Sequence, residues 1–293
     1  MPWIQLTLSS SEAHAPQVGD MLMANSAQAV TYRDGADTPI FEPPIGEVLL
    51  WQHTLVTGLF DAETDIKAVV ANLEKARILT TPLQYKVDPL EDKDWEREWM
   101  DNFHPIQFGQ RLWICPSWRD IPEPDAVNIL LDPGMAFGTG THPTTAMCLR
   151  WLDANPPTDA TVVDFGCGSG ILGIAALKLG AKHALGIDID RQALIATKDN
   201  AERNQVAAGF DVFLPSEQPD QQADLVIANV LAGPLRELSE VILNYVAPGG
   251  QLVLSGILQR QADSVMQAYQ PEIEFEPVTN DGDWVMLAGT RRA

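Results

Sequence analysis

The sequence has few basic residues for its length. Its 293 residues include 19 lysines and arginines against 40 aspartates and glutamates, so the formal net charge is −21 at pH 7. A surface of this sign repels a phosphate backbone, and we expect no direct binding of nucleic acid. A basic protein or another cationic group is an easier partner to accommodate.

Cysteines, basic N-terminal residues and long apolar runs are also scarce. The three cysteines, Cys115, Cys148 and Cys167, have no C-x-x-C spacing, which predicts neither a disulfide framework nor a metal site and fits a reducing compartment. No lysine or arginine precedes Arg33, so a signal peptide is not expected. No apolar run approaches the roughly 20 residues that span a bilayer. We therefore expect a cytoplasmic protein without a membrane segment.

The length and an apolar content of 45% favour two domains with substantial cores. Residues 1–88 predict elements in the order β-α-β-β-α-β, which is the order of a small α+β ferredoxin-like domain. Residues 89–102 are rich in acids and predict a linker helix in which Trp95 and Trp99 are four residues apart. These tryptophans either dock on a domain or contact a cationic substrate. Residues 103–293 then form a larger second domain.

The second domain begins with a predicted hairpin at 105–108 and 112–115 and continues with alternating strands and helices. One of these helices is predicted over 235–246. Alternation of this kind predicts an α/β fold with a mostly parallel sheet and right-handed crossovers. The last two predicted strands, 273–277 and 284–288, are expected to pair as an antiparallel hairpin at one edge. We expect a Rossmann-like domain with an antiparallel last strand.

A glycine-rich stretch, residues 162–173, contains the first strand of this alternating region, a turn and the start of a helix. Residues 168–173 satisfy G-x-G-x-x-G, so a dinucleotide-linked oxidoreductase has to be considered. However, Asp164 lies two residues before Gly166, which gives the pattern Asp-x-Gly-x-Gly-x-Gly of methyltransferases that use S-adenosylmethionine. An acid there can accept hydrogen bonds near an ammonium group, whereas it would repel a pyrophosphate. We expect S-adenosylmethionine, with Gly166 and Gly168 in close contact with it.

Two further strand ends carry candidate site residues. Asp188 ends the next strand, roughly 20 residues after Gly166, where a carboxylate binds ribose hydroxyls; Asp190 is expected to cap the following helix. Asn229 ends a later strand and is the candidate catalytic residue, because its oxygen can accept a hydrogen bond from a reacting amine. The prolines and the aromatic residue that often follow such an asparagine are absent, which favours an aliphatic amine over a planar target. A purely structural role in the turn is the alternative for Asn229.

Together with the loop at 134–145, these motifs resemble the bacterial ribosomal protein L11 methyltransferase family of class I S-adenosylmethionine-dependent methyltransferases. The resemblance covers essentially the whole chain through residues 134–145, 164–170, 186–190 and 229–235. It implies trimethylation of lysine side chains and of the N-terminal α-amine of one basic ribosomal protein. It also implies an N-terminal domain that recognises the substrate and a linker that lets the domains reorient.

The resemblance further implies cofactor contacts by four residues, namely Thr145, Gly166, Asp188 and Asn229. The expected reaction is direct displacement, in which Asn229 orients a neutral amine, and the loop around Phe137 is expected to close over the site. His142 is either a participant in the reaction or a residue that stabilises its loop. We expect a monomer.

Three alternatives share parts of this pattern. A methyltransferase that acts on another protein or on a small amine would have the same cofactor residues. An NAD-linked oxidoreductase would be stabilised by NAD and not by S-adenosylhomocysteine. A non-catalytic ribosome-assembly factor would bind ribosomal particles without transferring a methyl group.

Overall fold

The computed structural model describes residues 3–36, 38, 40, 49–79, 83–90, 103–132 and 140–293. The chain divides into two compact units, Met1–Met100 and Asp101–Ala293. The expected linker helix with Trp95 and Trp99, and the loop around Phe137, lie outside the described residues. Within the described part of the chain, no helix has the length and apolar character needed to cross a membrane.

The described part of the first unit is a small antiparallel sheet with two helices. Its elements are, in chain order, β1 (Trp3–Ser10), α1 (Ala15–Ala24), β2 (Ala29–Asp34), β3 (Thr54–Asp61), α2 (Ile66–Ala76) and β4 (Tyr85–Leu90). The strands lie in the order β2-β3-β1-β4 and all pairs are antiparallel. This order confirms the expected α+β ferredoxin-like topology.

The two helices bury one face of this sheet. Alternate residues of β1, Leu6 and Leu8, are fully buried in a cluster with Leu22 of α1 and Leu73 of α2. Because side chains alternate along a strand, the intervening residues of β1 face the other side of the sheet. Asp65 caps α2 by accepting hydrogen bonds from the backbone N–H groups of Lys67 and Ala68, as expected of an aspartate at that position.

A short three-stranded sheet begins the described part of the second unit. Its strands are β5 (Ile106–Phe108), β6 (Leu112–Cys115) and β7 (Val127–Leu130). β5 and β6 are antiparallel, which confirms the expected hairpin, and β7 runs parallel to β6.

The main sheet of the second unit has eight strands. The elements are α3 (Pro143–Ala154), β8 (Thr161–Phe165), α4 (Ile171–Lys178), β9 (His183–Ile187), α5 (Arg191–Arg203), β10 (Phe210–Phe213), β11 (Ala223–Asn229), α6 (Ala232–Glu237), α7 (Ser239–Tyr245), β12 (Val246–Leu258), α8 (Ala262–Tyr269), β13 (Ile273–Phe275), β14 (Thr279–Asp281) and β15 (Trp284–Arg291). The order is β10-β9-β8-β11-β12-β15-β13, with β14 paired to β15.

This strand order confirms the expected Rossmann-like class. The strands from β10 through β12 are parallel, and β15 is antiparallel to both of its neighbours, β12 and β13. The antiparallel pairing of the last strands is confirmed, but β15 lies inside the sheet, and β13 and β14 pair with successive parts of it at the edge. The single helix expected over 235–246 is two helices that meet at Leu238.

The strand order reverses between β8 and β11, which are neighbours although two other strands separate them along the chain. In open α/β sheets a ligand crevice forms at the carboxyl ends of the strands at such a reversal. The glycine turn follows β8 and Asn229 ends β11, so both lie at this edge.

Candidate active site

The glycine turn after β8 is held in a conformation that suits glycine. Gly166, Gly168 and Gly170 all have positive φ, at 76°, 56° and 77°. The backbone N–H groups of Gly166 and Cys167 both donate to the carbonyl oxygen of Ile187, at 2.7 and 3.1 Å, which fastens the turn to the end of β9. Other side chains would be strained here, because left-handed backbone favours a residue without Cβ.

The protein itself also fills the space beside these glycines. A Cβ on Gly166 would overlap Cγ1 of Val230, and one on Gly170 would lie 2.6 Å from Cγ2 of Thr197. The glycines therefore serve internal packing as well as any close approach to a ligand.

Asp164 links the end of β8 to the start of α4. Its side chain is 1% exposed, and Oδ2 accepts a hydrogen bond from the backbone N–H of Gly173 at 2.9 Å. This bond satisfies one of the N–H groups that the first turn of a helix leaves unpaired. Burial raises the pKa of Asp164 to about 7; the Gly173 hydrogen bond lowers this pKa and the nearby charge of Asp188 raises it. The hydrogen bond that the structure shows for Asp164 is thus to the backbone of its own domain.

Asp188 connects the end of β9 to the glycine turn. Its Oδ2 accepts from the backbone N–H of Gly168 and its Oδ1 from that of Asp190, both at 2.9 Å. The structure therefore brings the predicted pair Gly168 and Asp188 into direct contact. Each carboxylate oxygen has about two acceptor positions. The half-buried Asp188 can thus still accept hydrogen bonds from ribose hydroxyls.

The residues that flank this carboxylate have different roles. Asp190 caps α5 through a 2.9 Å hydrogen bond from the backbone N–H of Gln192, which confirms the expected cap. Ile189, between the two aspartates, is 86% exposed. An exposed isoleucine at a ligand crevice offers an apolar contact for a flat ring. In the sequence, Ile189 is distinguished only as a single apolar residue between two acids.

Asn229 and Thr145 come together at the carboxyl end of β11. Asn229 Nδ2 donates a hydrogen bond to Thr145 Oγ1 at 3.1 Å. Thr145 lies in the first turn of α3 and is 1% exposed. Among the described residues, the Asn229 side chain has no other hydrogen-bond partner, so its Oδ1 remains an acceptor for a ligand.

Two residues of β12 support this pair, and sequence reasoning missed both. Ser255 is adjacent to Asn229 in the parallel register, and its buried Oγ donates to the Thr144 carbonyl oxygen at 3.1 Å. Gly256 has φ of 85°, and a Cβ there would overlap the carbonyl oxygen of Val230 and lie 2.7 Å from its carbonyl carbon. The backbone that carries Asn229 is therefore held between β8 and β12.

His142 has a structural role in this region. It is the N-cap residue of α3, where its Nδ1 accepts from the backbone N–H of Thr144 at 3.4 Å and lies 2.7 Å from Thr144 Oγ1. Its ring packs edge-on against Trp284 with centroids 4.9 Å apart, and burial lowers its pKa. Of the two roles left open for His142, these contacts favour stabilisation of its loop over participation in the reaction.

No metal centre accompanies these residues in the described part of the chain, where no group of three or more His, Cys, Asp or Glu side chains could hold an ion. The residues of the site can perform two functions. A carboxylate, a glycine turn and an exposed isoleucine can hold a nucleoside, and a neutral amide oxygen can orient a hydrogen-bond donor nearby.

Comparison with known proteins identifies the family. The model of the family described as ribosomal protein L11 methyltransferase (PrmA) matches residues 2–292. This chain belongs to that family. It is 76% identical over 291 residues to the ribosomal protein L11 methyltransferase of Idiomarina loihiensis, with 99% of each chain covered. It is 59% identical over 292 residues to that of Pseudoalteromonas atlantica, with 100% of each covered.

A crystal structure of the ribosomal protein L11 methylase from Lactobacillus delbrueckii subsp. bulgaricus is also similar. It shares 34% identity, superposes with a TM-score of 0.59, and covers 65% of this chain and 100% of its own. At the level of the family, the expected class of enzyme, a methyltransferase that depends on S-adenosylmethionine, is confirmed. The assignments of Thr145, Gly166, Gly168, Asp188 and Asn229 to individual roles remain predictions.

Proposed function

We propose that this enzyme transfers methyl groups from S-adenosylmethionine to amino groups of ribosomal protein L11, both on lysine side chains and on the N-terminal α-amine. The observation that carries the proposal is the hydrogen bond between Asn229 and Thr145 beside the glycine turn. It fixes a neutral amide at the crevice with its oxygen available to an amine. The substrate protein is the one that the relatives are named for.

The crevice residues fit this cofactor. Asp188 has acceptor positions left for the ribose hydroxyls, and Ile189 provides an apolar face for the adenine ring. Gly166, Gly168 and Thr145 complete the proposed contacts with the cofactor. When bound, S-adenosylmethionine supplies an electrophilic methyl group on a sulfonium centre.

The acceptor side needs a neutral amine held in line with that methyl group. A lysine has an unperturbed pKa of about 10.4, so its ammonium must first lose a proton. Asn229 Oδ1 then accepts a hydrogen bond from the amine and directs its lone pair. An uncharged amide suits this task better than a carboxylate, because a carboxylate would stabilise the ammonium form. The proton leaves to solvent, and rate acceleration comes from positioning and desolvation.

The remaining parts of the chain have proposed roles that come from the family resemblance and from the net charge. Residues 1–88 recognise the substrate protein, and residues 89–102 link them to the catalytic residues 103–293. The formal net charge of −21 attracts a basic ribosomal protein and disfavours direct contact with nucleic acid. The enzyme acts as a monomer in the cytoplasm.

A methyl-transfer assay tests the proposal. The purified enzyme is offered S-adenosylmethionine with a labelled methyl group and either purified L11 or an equally basic large-subunit ribosomal protein, and the label is located by mass spectrometry. We expect label on lysines and on the α-amine of L11 only. Label on the control protein would indicate another substrate, and binding to ribosomal particles without any label would indicate an assembly factor.

A thermal-shift measurement tests the cofactor class separately. S-adenosylhomocysteine should raise the melting temperature of the second unit, because a ligand that binds only the folded state stabilises it. NAD at the same concentration should leave that temperature unchanged. The reverse pattern would favour an oxidoreductase.

A further inference from the structure

Leu231, beside the proposed acceptor site, has two notable local features. It is 50% exposed, although it is a large apolar side chain. It is also the N-cap residue of α6, where its side chain makes no capping hydrogen bond. Serine, threonine, aspartate or asparagine at such a position would stabilise the helix more than an apolar residue does.

The backbone around Leu231 is fixed by its neighbours. Val230 lies against Gly166 on one side, where its Cγ1 occupies the space that a Cβ would need, and its backbone lies against Gly256 on the other. Asn229 ends β11, and Leu231 has extended backbone angles of −61° and 152°. Leu231 follows Asn229 by two residues, so both lie where β11 passes into α6.

We propose that Leu231 is a specificity-determining residue that contacts the aliphatic part of the substrate lysine while Asn229 receives its amine. This inference rests on the proposed function. A lysine has four methylene groups behind its nitrogen, and an exposed leucine beside the acceptor amide is chemically matched to them. The N-terminal α-amine has no such chain of methylenes, so Leu231 favours lysine and contributes little at the α-amine.

The inference also accounts for the residues that the acceptor motif lacks. Prolines and an aromatic ring after the asparagine would suit a planar target such as a nucleobase. Here Val230 packs against Gly166, and the exposed aliphatic side chain of Leu231 suits an aliphatic acceptor.

The experiment compares wild-type enzyme with Leu231→Ser and Leu231→Met on full-length L11. Mass spectrometry follows the initial rates at lysines and at the α-amine in the same reaction, so each substrate molecule carries its own control. We expect Leu231→Ser to lower the lysine rate roughly tenfold by loss of an apolar contact, with less than a twofold change at the α-amine. Leu231→Met should retain most of the lysine rate.

Leu238 provides a matched control. It is also an exposed leucine, at 39%, and it occupies the N-cap of α7 without a capping hydrogen bond. Helical rise along α6 separates it from Leu231 by about 10 Å. Leu238→Ser should leave both rates unchanged. Both serine variants should remain folded at the assay temperature, which their melting temperatures check.

Three outcomes would overturn the inference. Equal loss at lysines and at the α-amine in Leu231→Ser would give the residue a general role instead of a role in specificity. Unchanged lysine methylation would remove its contact with the lysine. Absence of methyl transfer to L11 by the wild-type enzyme would reject the proposed function, and the inference with it, whereas the first two outcomes leave that function intact.

Discussion

Asn229 and Thr145 are 84 residues apart in the chain, yet Asn229 Nδ2 donates a 3.1 Å hydrogen bond to Thr145 Oγ1. The bond joins the end of β11 to the first turn of α3. It leaves the amide with one orientation, in which the nitrogen is occupied inside the protein and the oxygen is available to the acceptor. The two residues therefore act as one unit, and their variants should have related effects.

Substitution of Asn229 by alanine should reduce turnover far more than it reduces cofactor affinity. The amide oxygen is proposed to contact the reacting amine, and loss of one positioned hydrogen-bonding group typically slows an enzyme about 100-fold or more. Single-turnover methylation of L11 and calorimetric binding of S-adenosylhomocysteine measure the two effects. Turnover equal to that of the wild type would remove Asn229 from the mechanism and leave it a structural role in the turn.

Substitution of Thr145 by valine should also slow methyl transfer, by a smaller factor. Valine retains the shape of the buried side chain but removes the acceptor for Asn229 Nδ2, so the amide is no longer held in one orientation. We expect roughly a tenfold loss of turnover, on the scale of one lost hydrogen bond. Thr145→Ser keeps the hydroxyl and should recover most of the activity.

A double variant shows whether the two residues act as a unit. If Thr145 works through Asn229, adding Thr145→Val to Asn229→Ala should cause little further loss of turnover. Fully additive losses would indicate that Thr145 contributes separately, for example by contact with the cofactor, as the family resemblance implies.

The sequence was sufficient to predict the parts of the site that follow local patterns. The acid after a buried strand, the alternating glycines and the later Asp188 each have a spacing that the strand–turn–helix unit imposes. Asp190 could also be assigned as a cap from a local pattern, because capping depends only on the next two or three residues.

What the sequence could not reveal depends on contacts between distant segments. The role of Ser255 could not be predicted, since its bond to the Thr144 carbonyl oxygen depends on the parallel register of β12 beside β11. The interruption of the predicted helix at Leu238 has a similar origin. The apolar periodicity continues through that residue, whereas its backbone angles of −102° and 15° end one helix before the next begins.

Substitution of Gly256 by alanine should destabilise the second unit strongly. The position has positive φ, and the new Cβ would meet the backbone of Val230, which cannot move without displacing Asn229. We expect a loss of about 3 kcal/mol or more in the free energy of unfolding, from strain and overlap together. Urea denaturation measures this loss.

Gly249 is the matched control for Gly256. It also has positive φ, at 76°, but nothing lies within 4 Å of the position of its Cβ. Gly249→Ala should therefore cost only the backbone strain, about 1 kcal/mol. Equal losses in the two variants would show that the contact with Val230 has no energetic consequence.

Substitution of Asp164 by asparagine should stabilise the second unit in a way that depends on pH. Burial raises the pKa of Asp164 from 3.8 to about 7, so the folded protein binds this proton more tightly than the unfolded chain does. A group of this kind makes stability fall as pH rises from about 4 to about 7. Asparagine keeps an acceptor for the Gly173 N–H and has no proton to lose. The advantage of Asp164→Asn over wild type should therefore grow across this window and level off above pH 7.

Asp224 provides the control of opposite sign. Its pKa is lowered, chiefly by hydrogen bonds from the backbone N–H and the hydroxyl of Thr161, so its ionised form stabilises the folded state. Asp224→Asn should cost stability at neutral pH, and this cost should fade as the pH drops through its folded pKa, below 3.8. Urea unfolding at a series of pH values distinguishes the two variants. A constant difference between Asp164→Asn and wild type from pH 4 to 8 would mean that Asp164 titrates alike in both states, and burial would then not control its ionisation.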